Sequence, residues 1–340
     1  MSPLISVLLP VFNAAPTLDD TLRSLFAQTL VEFEIVAVDD GSNDGSAELL
    51  QRWSAKDARL RVKRGPHRGI VATLNSGLEL CRGTLVARMD ADDTVHAQRL
   101  EKQSRMFAAR PELSVVGSLV ETVSREEVGE GLRIYEQWLN SLVDHQDISR
   151  EMFIESPIAH PSAMVRRDEI LQLGGYRECG WPEDYDLWLR YHLQGGRFAK
   201  VNEVLLYWRE HPGRLTRTDG RYSVENFLKV KAHFLIAGPL ADRDAVFLWG
   251  AGKTGRRLSK HLIRGGCTPT AVVDIDPKKI GSVLRGRPIV APDALPQQWA
   301  RFQRPFLVVA VASRGARALI RQSLTTEGLV VEGADFLFAA

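Results

Sequence analysis

Short apolar runs alternate with segments of helical periodicity through the first ninety residues of the chain. Strand-like runs stand at residues 5–9, 34–38, 60–63 and 85–88, and apolar residues recur at helical spacing in 17–28, 46–56 and 70–81. Strands and helices in this order form a mainly parallel sheet with right-handed crossovers. The order therefore predicts an α/β fold in which ligands bind beyond the carboxyl ends of the strands.

Two acidic clusters end strand-like runs in this region. Asp39-Asp40 follows the second run, and Asp90-Ala91-Asp92-Asp93 follows the fourth. Residues two apart on an extended chain face the same way, so Asp90 and Asp92 are expected to point into one cleft. Their hard oxygen atoms suit Mg²⁺ or Mn²⁺, which proteins usually hold together with substrate phosphates.

Each cluster also has a structural interpretation. Asp93 suits the cap of a helix that starts near Thr94, with its neighbours in solvent. Asp39 and Asp40 suit an Asx-turn with the Gly-Ser pair that follows them. The two clusters alone leave both interpretations open.

Composition limits the class of protein. The chain has 340 residues, 44% of them hydrophobic and 25% charged, with a formal net charge of +2. This is the composition of an ordinary soluble globular protein long enough for two domains. A nearly neutral chain with scattered basic residues is not expected to bind nucleic acid, although Arg166-Arg167 and residues 209–221 suit phosphate or an anionic membrane surface.

Cysteine content and the first residues bear on the compartment. Cys81, Cys179 and Cys267 cannot all pair and lack the spacing of a metal site, which fits a reducing compartment. No apolar run reaches the roughly 18 residues that a spanning helix needs. The first residues lack the basic start of a secretory signal and indicate a strand. We therefore expect a cytoplasmic protein, with peripheral association at the inner face of the membrane left open.

The middle of the chain has a less regular pattern. Residues 121–149 give little strand signal and contain aromatic and leucine residues at helical spacing. The turn-rich segment 156–162 leads into a short strand at 163–165. Glu183-Asp184-Tyr-Asp186 marks the start of a helix. A strand at 204–208 and a helix at 222–236 complete this part.

A second, smaller unit is predicted at the C-terminal end. A strand at 246–249 leads into a glycine motif with Gly250, Gly252 and Gly255, and a helix follows to about residue 264. A second strand at 270–273 ends at Asp274. This arrangement matches the dinucleotide fingerprint and predicts a Rossmann-like fold. Further strands are expected from Leu307 and Leu329. Either an unidentified nucleotide binds there, or the glycines only let the helix pack closely on the sheet.

These boundaries give three segments. Residues 1–220 form the first domain, 221–241 a helical linker and 242–340 the Rossmann-like domain. The linker precedes the glycine motif and ends at a Gly-Pro boundary signal.

Six short motifs occur in order between residues 5 and 218. They are Val7-Leu-Leu-Pro-Val-Phe-Asn13, Val38-Asp-Asp-Gly-Ser42, Asn75-Ser-Gly-Leu78, Asp90-Ala-Asp-Asp93, Gly174-Gly-Tyr176 and Glu183-Asp-Tyr-Asp-Leu-Trp188. In this order and spacing the chain resembles family 2 glycosyltransferases, which have a GT-A fold and use nucleotide-sugar donors. The resemblance covers roughly the first two thirds of the chain.

The resemblance implies a nucleotide site at the first two motifs. Pro10, Val11 and Asn13 would edge the base and ribose. Asp40, or Asp39 as the alternative, would accept a hydrogen bond from an imide nitrogen of the base, since a carboxylate is an acceptor only.

The resemblance also implies a diphosphate and metal site. Arg68 stands where such enzymes hold the diphosphate, and its planar fork suits phosphate oxygens. Asp90 is expected near the ribose, and Asp92 is expected to ligate the Mn²⁺ or Mg²⁺ that neutralises the leaving group. Asn75 and Glu183 belong to motifs that bind substrate or nucleotide.

Asp184 is the implied general base. Attack of an acceptor hydroxyl on the anomeric carbon requires removal of its proton, so a carboxylate opposite the diphosphate gives single displacement with inversion. The alternative is a helix start that is merely rich in acids. His211 is implied as a metal or diphosphate contact, with a solvated loop histidine as the alternative. Residues 121–149 are assigned to the acceptor side.

The chain departs from the family pattern at two places. Thr73-Leu74-Asn75 replaces the usual Ala-Arg-Asn, which removes one expected cationic contact and increases the reliance on Arg68. Ala97 replaces a proline found after the acidic cluster in many relatives, a change expected to affect only the turn.

Three functions compete at this point. The leading hypothesis is an inverting, metal-dependent glycosyltransferase that takes a nucleotide-diphosphate sugar and a saccharide or lipid-linked acceptor to make cell-surface polysaccharide or glycolipid. An NAD(P)-linked oxidoreductase based on the motif at Gly250 is the second. A nucleotide-sugar binding protein with a decayed active site is the third, against which the retained acids argue. The oligomeric state is left open.

Overall fold

The computed structural model describes residues 3–124, 127–313, 315–326 and 331–340. The chain divides into two compact units. The first unit contains residues 1–149, 157–179 and 183–218, and the second contains 150–156, 180–182 and 219–340.

An eight-stranded sheet forms the centre of the first unit. Its strands are β1 (Ile5–Val11), β2 (Phe33–Asp39), β3 (Leu60–Arg64), β4 (Leu85–Arg88), β5 (Thr94–Val95), β6 (Leu113–Ser124), β7 (Met164–Arg166) and β8 (Arg197–Glu210). They lie in the order β3-β2-β1-β4-β7-β6-β8-β5. The first four strands are parallel neighbours, and β7 runs antiparallel to both β4 and β6. The prediction of a mainly parallel α/β sheet is confirmed.

Helices alternate with the strands of this unit. They are α1 (Ala15–Phe26), α2 (Ser46–Ser54), α3 (Ile70–Leu78), α4 (Arg99–Ala109), α5 (Glu130–Ser141), α6 (His145–Glu151), α7 (Arg167–Gln172), α8 (Glu183–Leu193) and α9 (Leu215–Thr218). In α1, Leu18, Leu22 and Leu25 are fully buried, as their helical spacing predicts. They pack with the apolar side chains of β1 and β2 in one core.

The sequence pattern missed the longest pairing in the sheet. β6 and β8 run parallel, with Leu113 opposite Arg197 and Ser124 opposite Glu210. The first half of β6 is buried, whereas the side chains from Glu121 to Ser124 are partly or fully exposed. No strand is predicted at 113–124 from the sequence, and residues 121–124 fall in the segment 121–149 that gives little strand signal.

A buried carboxylate joins the amino-terminal ends of the strands, at the end of the sheet opposite the acidic clusters. Glu34 accepts a hydrogen bond from Ser6 Oγ at 2.7 Å and pairs with Arg61 at 2.9 Å and Arg82 at 2.7 Å. Burial alone would raise the pKa of Glu34, but the hydrogen bonds from Arg82, Ser6 and Arg61 outweigh it and hold the pKa at about 2.

The second unit contains a six-stranded sheet. Its strands are β9 (Ala245–Trp249), β10 (Ala271–Val273), β11 (Val283–Leu284), β12 (Arg287–Val290), β13 (Pro305–Val309) and β14 (Phe336–Phe338), in the order β11-β12-β10-β9-β13-β14. All neighbours are parallel except β11 and β12. Its helices are α10 (Val224–Ala237), α11 (Lys253–Arg264), α12 (Leu295–Trp299) and α13 (Ala316–Thr326). The strand expected from Leu329 begins outside the described residues.

Two short stretches from the middle of the chain belong to the second unit. Lys231 Nζ, on α10, donates to the Ile154 carbonyl at 2.6 Å. Arg317 and Arg321, on α13, pair with Glu151 at 3.2 Å and 3.4 Å. The segment 150–156 is therefore held by helices that lie much later in the sequence.

Among the described helices, none combines the length and the apolar character that a membrane crossing requires.

Candidate functional site

The acidic segment that follows β4 gathers three carboxylates. Asp90, Asp92 and Asp93 each offer an oxygen, and these atoms lie within 4.8 Å of one another. β4 pairs with β1 in parallel, and β1 pairs in the same way with β2, so the residues after these strands meet at one edge of the sheet. The predicted juxtaposition of the two acidic clusters at this edge follows from that pairing.

Asp93 is held from two sides. Its Oδ1 accepts the backbone N–H of Arg209 at 2.8 Å, and Thr21 Oγ1 donates to its backbone carbonyl at 2.7 Å. The chain then continues as β5, and α4 starts only at Arg99, so the expectation of a helix starting near Thr94 is wrong. Within the described residues, Asp93 Oδ2 is buried without a hydrogen-bond donor. Burial and, after it, the charge of Asp92 raise the pKa of Asp93 well above its ordinary value.

Asp92 and His211 form the central pair of the site. Asp92 Oδ2 lies 2.9 Å from His211 Nε2, and both side chains are partly exposed. His211 lies in a turn closed by the Arg214 N–H, which donates to the His211 carbonyl at 3.2 Å. Burial, followed by the charge of Asp90, raises the pKa of Asp92, and the hydrogen bond from His211 opposes this shift. The structure thus brings together two residues predicted to ligate a metal.

Asp90 has a different partner. Its Oδ1 accepts a hydrogen bond from Arg88 Nη2 at 2.5 Å, and the guanidinium of Arg88 is buried. Sequence reasoning missed Arg88. The two residues are two apart at the end of a strand, a spacing that puts their side chains on the same face and that offered a signal for this pair.

The loops after β1 and β2 are joined by side-chain to backbone hydrogen bonds. Asn13 has a positive φ of 49°, its N–H donates to Ser42 Oγ at 2.9 Å, and its Oδ1 accepts the Asn43 N–H at 3.0 Å. Pro10 and Val11 are the buried last residues of β1. Asp39 is fully buried, accepts the Ser42 N–H at 3.1 Å and lies 3.3 Å from Arg64 Nε.

The carboxylate of Asp40 organises the loop before α3. It accepts the backbone N–H groups of Arg68 at 2.8 Å and Gly69 at 2.9 Å, and it lies 2.9 Å from His67 Nδ1. The His67 ring stacks on Phe12, with ring centroids 4.1 Å apart and both side chains exposed. The side chain of Arg68 is exposed. The aromatic pair was not singled out in the sequence, although Phe12 lies within the first motif.

Asn75 clamps a loop that is distant in sequence. Its Nδ2 donates to the Tyr176 carbonyl at 2.8 Å, and its Oδ1 accepts the Tyr176 N–H at 2.9 Å. Gly175 has a φ of +66°, and a Cβ added there would lie 2.6 Å from Asn75 Oδ1. The amide of Asn75 is therefore engaged with the backbone, which explains why a glycine precedes Tyr176.

The start of α8 presents three acids with different surroundings. Glu183 and Asp186 are buried, with relative exposures of 2% and 1%, whereas Asp184 is partly exposed. Asp186 pairs with Arg190 at 2.7 Å, and Arg190 donates to the carbonyl of Gly175 at 2.8 Å. Asp186 thus anchors the loop that precedes the helix, and Asp184 is the most accessible acid of the three.

A buried polar pair lies behind this helix start. His160 Nε2 is 2.9 Å from the Tyr176 hydroxyl. Burial and, after it, the charge of Arg88 lower the pKa of His160 well below its ordinary value, so the imidazole is neutral at pH 7. Burial likewise raises the pKa of Tyr176. His160 is therefore part of the core of this unit.

The basic stretch after β8 is paired with acids. Arg214 and Arg217 contact Glu210 at 2.9 Å and 2.5 Å, and Arg209 lies 3.3 Å from Asp20. The guanidinium of Arg214 also lies 4.2 Å from the centre of the Trp208 ring. The positive charge expected at residues 209–221 is thus partly balanced in place.

The glycine motif of the second unit forms a tight turn between β9 and α11. A Cβ at Gly250 would lie 2.8 Å from the Ala310 carbonyl, and one at Gly255 only 1.8 Å from the Gly250 carbonyl, whereas Gly252 is open. Asp274 Oδ2 accepts the Ala251 N–H at 2.7 Å. The other oxygen of Asp274 accepts the Asp276 N–H at 2.9 Å. Close packing accounts for two of the three glycines.

Comparison with protein families and relatives points in one direction. The model described as "Glycosyl transferase family 2" matches residues 6–174. The chain is 32% identical to the amylovoran biosynthesis glycosyltransferase AmsE of Erwinia amylovora, over 59% of this chain and 74% of that protein. It is 29% identical to the O-antigen biosynthesis glycosyltransferase WbnJ of Escherichia coli, over 66% of this chain and 89% of that protein.

Solved structures share the fold. TarS 1–349 of S. aureus in complex with UDP-GlcNAc matches with a TM-score of 0.57 at 17% identity, covering 76% of this chain and 72% of that one. The mannosyltransferase PcManGT of Pyrobaculum calidifontis in complex with GDP-Man and Mn²⁺ matches with a TM-score of 0.51 at 20% identity, covering 78% and 69%. The curled, mostly parallel sheet of the first unit is thus of the GT-A type, and the second sheet is additional to it.

Proposed function

The chain belongs to glycosyltransferase family 2, and we propose that it transfers a sugar from a nucleotide-diphosphate donor to an acceptor hydroxyl, with inversion and with a divalent cation. The pairing of Asp92 with His211, 2.9 Å apart and beside two further carboxylates, carries the proposal. Amylovoran and O-antigen appear in the names of two relatives, which supports a product in cell-surface polysaccharide or glycolipid.

The residues of the acidic segment fit a divalent cation. Carboxylate oxygens and an imidazole nitrogen are suitable ligands for Mn²⁺, and Mg²⁺ accepts the carboxylates. Asp93 Oδ2 is buried without a hydrogen-bond donor among the described residues. Burial and, as the second cause, the charge of Asp90 raise the pKa of Asp92. We propose that Asp92 and His211 hold the ion. When bound, it supplies positive charge for the departing diphosphate.

The donor nucleotide is proposed to bind across the ends of β1 and β2. Asp40, with Asp39 as the alternative, accepts from the base, while Pro10, Val11 and Asn13 edge the base and ribose. Each oxygen of the Asp40 carboxylate has two lone pairs, so its contacts with the loop before α3 leave acceptor capacity.

Three further residues are proposed to serve the donor site. The exposed side chain of Arg68 is proposed as the cationic contact of the diphosphate. Asp90 is proposed to lie near the ribose. For Asn75 we propose a positioning role, because both ends of its amide contact the Tyr176 backbone.

Asp184 is proposed as the general base. It stands in the first turn of α8 and is the most accessible of the three acids there, whereas Asp186 is committed to Arg190 and Glu183 is buried. Its carboxylate accepts the proton of the acceptor hydroxyl as the oxygen attacks the anomeric carbon and the bond to the diphosphate breaks. A saccharide or a lipid-linked sugar would supply that hydroxyl.

The test of this proposal is the substitution Asp184→Asn. We expect it to keep nucleotide binding and to lower transfer to an acceptor by at least about a hundredfold, because general-base catalysis typically contributes 10²–10⁴-fold. Nucleotide release from a panel of UDP-, GDP- and dTDP-sugars, with and without acceptor, measures transfer and donor hydrolysis separately.

Asp168→Asn is the matched control. Asp168 also stands in the first turn of a helix, α7, but its side chain is 85% exposed and lies outside the site. Unchanged transfer by Asp184→Asn, or equal losses in both variants, would remove Asp184 from the role of base.

For the second unit we propose a Rossmann-like domain spanning 242–340, after a helical linker at 221–241. We infer that the glycine motif serves packing, because Gly255 approaches Gly250 closely and Asp274 accepts the Ala251 N–H. Isothermal titration of the full chain with NAD tests this: the packing role predicts no binding, and saturable binding abolished by Gly252→Val would contradict it.

A further inference from the structure

Arg88 is a buried cation at the base of the acidic segment. Its relative exposure is 4%, and its Nη2 donates to Asp90 Oδ1 at 2.5 Å. The Asp90 side chain remains 32% exposed, so this carboxylate contacts the buried guanidinium while still facing solvent. A charge-assisted hydrogen bond of this kind fixes the orientation of both groups.

The backbone of Arg88 is held independently of its side chain. The Arg88 N–H donates to the Ala163 carbonyl at 2.8 Å. Its own carbonyl accepts a hydrogen bond from Arg99 Nη2 at 2.8 Å, and Arg99 Nε donates to Gln103 Oε1 at 3.0 Å. The end of β4 is therefore anchored by Arg99 and by Ala163, which precedes β7. The guanidinium of Arg88 donates to the Met89 carbonyl as well as to Asp90.

The acidic partner of that guanidinium also favours its charged form. Burial alone would lower the pKa of Arg88, but the charges of Asp90 and, after Tyr176, of Glu183 raise it, and the net direction is upward.

We propose that Arg88 is a positioning residue that holds Asp90 in the orientation required for the donor. It does not touch substrate. The inference rests on the proposed function, because it concerns the same donor site.

The physical reason is the crowding of negative charge at this edge. Three carboxylate oxygens lie within 4.8 Å, and like charges at that distance repel one another. A buried cation on one of them reduces the repulsion and prevents Asp90 from turning towards solvent. Lysine keeps the charge but loses the planar fork, so the two contributions can be separated by substitution.

The experiment compares Arg88→Lys and Arg88→Met with Arg99→Lys as the matched control. Arg99 is an equally buried arginine that supports the same strand, but its hydrogen bonds go to carbonyls, a glutamine and a methionine sulfur. The readouts are the dissociation constants of UDP, GDP and dTDP in the presence of MnCl₂, the KM and kcat of donor hydrolysis, and the midpoint of urea unfolding.

We expect Arg88→Met to weaken binding of the preferred nucleotide and to raise the donor KM by about tenfold or more, the loss that follows removal of a hydrogen bond between charged groups. Arg88→Lys should recover part of that affinity. Arg99→Lys should lower the unfolding midpoint yet bind nucleotide within about twofold of the wild type.

Two results would overturn the inference while leaving the proposed function intact. One is nucleotide binding by both Arg88 variants that equals the wild type. The other is a loss in Arg99→Lys as large as that in Arg88→Lys, which would assign Arg88 a purely structural role. If Arg88→Met does not fold, the comparison of the two lysine variants decides. A wild type that binds none of the three nucleotides with Mn²⁺ contradicts the proposed function instead.

Discussion

Asp92 and His211 are 119 positions apart in the chain, yet their side chains meet at 2.9 Å. Each is a weak signal by itself, because a loop histidine and an exposed aspartate are common on protein surfaces. The Arg209 N–H donates to Asp93, and this hydrogen bond holds the chain two residues before His211 beside the acidic segment. The pair is thus a product of the fold.

The requirement for the metal is expected to depend on His211. His211→Ala removes the only nitrogen proposed as a ligand, and we expect the Mn²⁺ concentration for half-maximal nucleotide binding to rise by about tenfold or more, as changes around metal ligands typically produce. Titration of Mn²⁺ at a fixed concentration of the preferred nucleoside diphosphate, followed by thermal stabilisation, measures it.

His261→Ala is the control for this experiment. His261 Nε2 lies 3.0 Å from a carboxylate, that of Glu225, in the second unit, so the geometry is similar but the acidic segment is absent. Equal Mn²⁺ requirements in wild type and His211→Ala would exclude His211 from the metal site.

Among the elements, α8 and the loop before it are held by one contact that the helix sequence predicts and by two that depend on the tertiary structure. Asp186 and Arg190 are four apart on the helix, a spacing that predicts their ion pair. The tertiary structure determines two further contacts. Arg190 donates to the Gly175 carbonyl, and Asn75 donates to the Tyr176 carbonyl. The motif containing two glycines is therefore held by Arg190 on one side and by Asn75 on the other.

Gly175→Ala tests this arrangement. The positive φ and a contact of 2.6 Å with Asn75 Oδ1 should together cost about 2–4 kcal/mol of unfolding free energy. Gly180→Ala has a similar φ of +70° but nothing within 4 Å of the new Cβ, and it should cost about 1 kcal/mol. Urea unfolding of both variants gives the comparison, and equal costs would show that the clamp does not resist the added methyl group.

In the molecule as a whole, the order of strands and helices was more predictable than the assignment of short segments to the two units. The parallel pairing of β1, β2 and β4 follows from alternation, and with it the meeting of both acidic clusters at one edge. The whole of β6 was missed, although only the side chains of its last four residues are largely exposed. The association of residues 150–156 with late helices rests on Lys231 and two arginines, which carry no signal in the sequence.

Stability at acid pH should depend on Glu34. Its pKa is about 2 in the folded protein, below the roughly 4.3 expected when unfolded, so its stabilising effect is complete above the unfolded value and is lost as the pH falls towards 2. Glu34→Gln should cost about 1–3 kcal/mol at pH 7 and progressively less below about pH 4.

Urea unfolding at pH 7, 5 and 3.5 measures this difference, with Glu32→Gln as the control because Glu32 is an exposed neighbour. A difference between Glu34→Gln and wild type that stays constant down to pH 3.5 would contradict the role given to this carboxylate.

The acidic segment is proposed to bind a nucleoside diphosphate together with a divalent cation. Thermal unfolding of the full chain with UDP, GDP, dTDP or NAD, each with and without Mn²⁺, tests this proposal. We predict that one nucleoside diphosphate raises the Tm of the wild type only when Mn²⁺ is present, and that Asp92→Asn abolishes this effect. Stabilisation by NAD without metal, with no response to any nucleoside diphosphate, would contradict it.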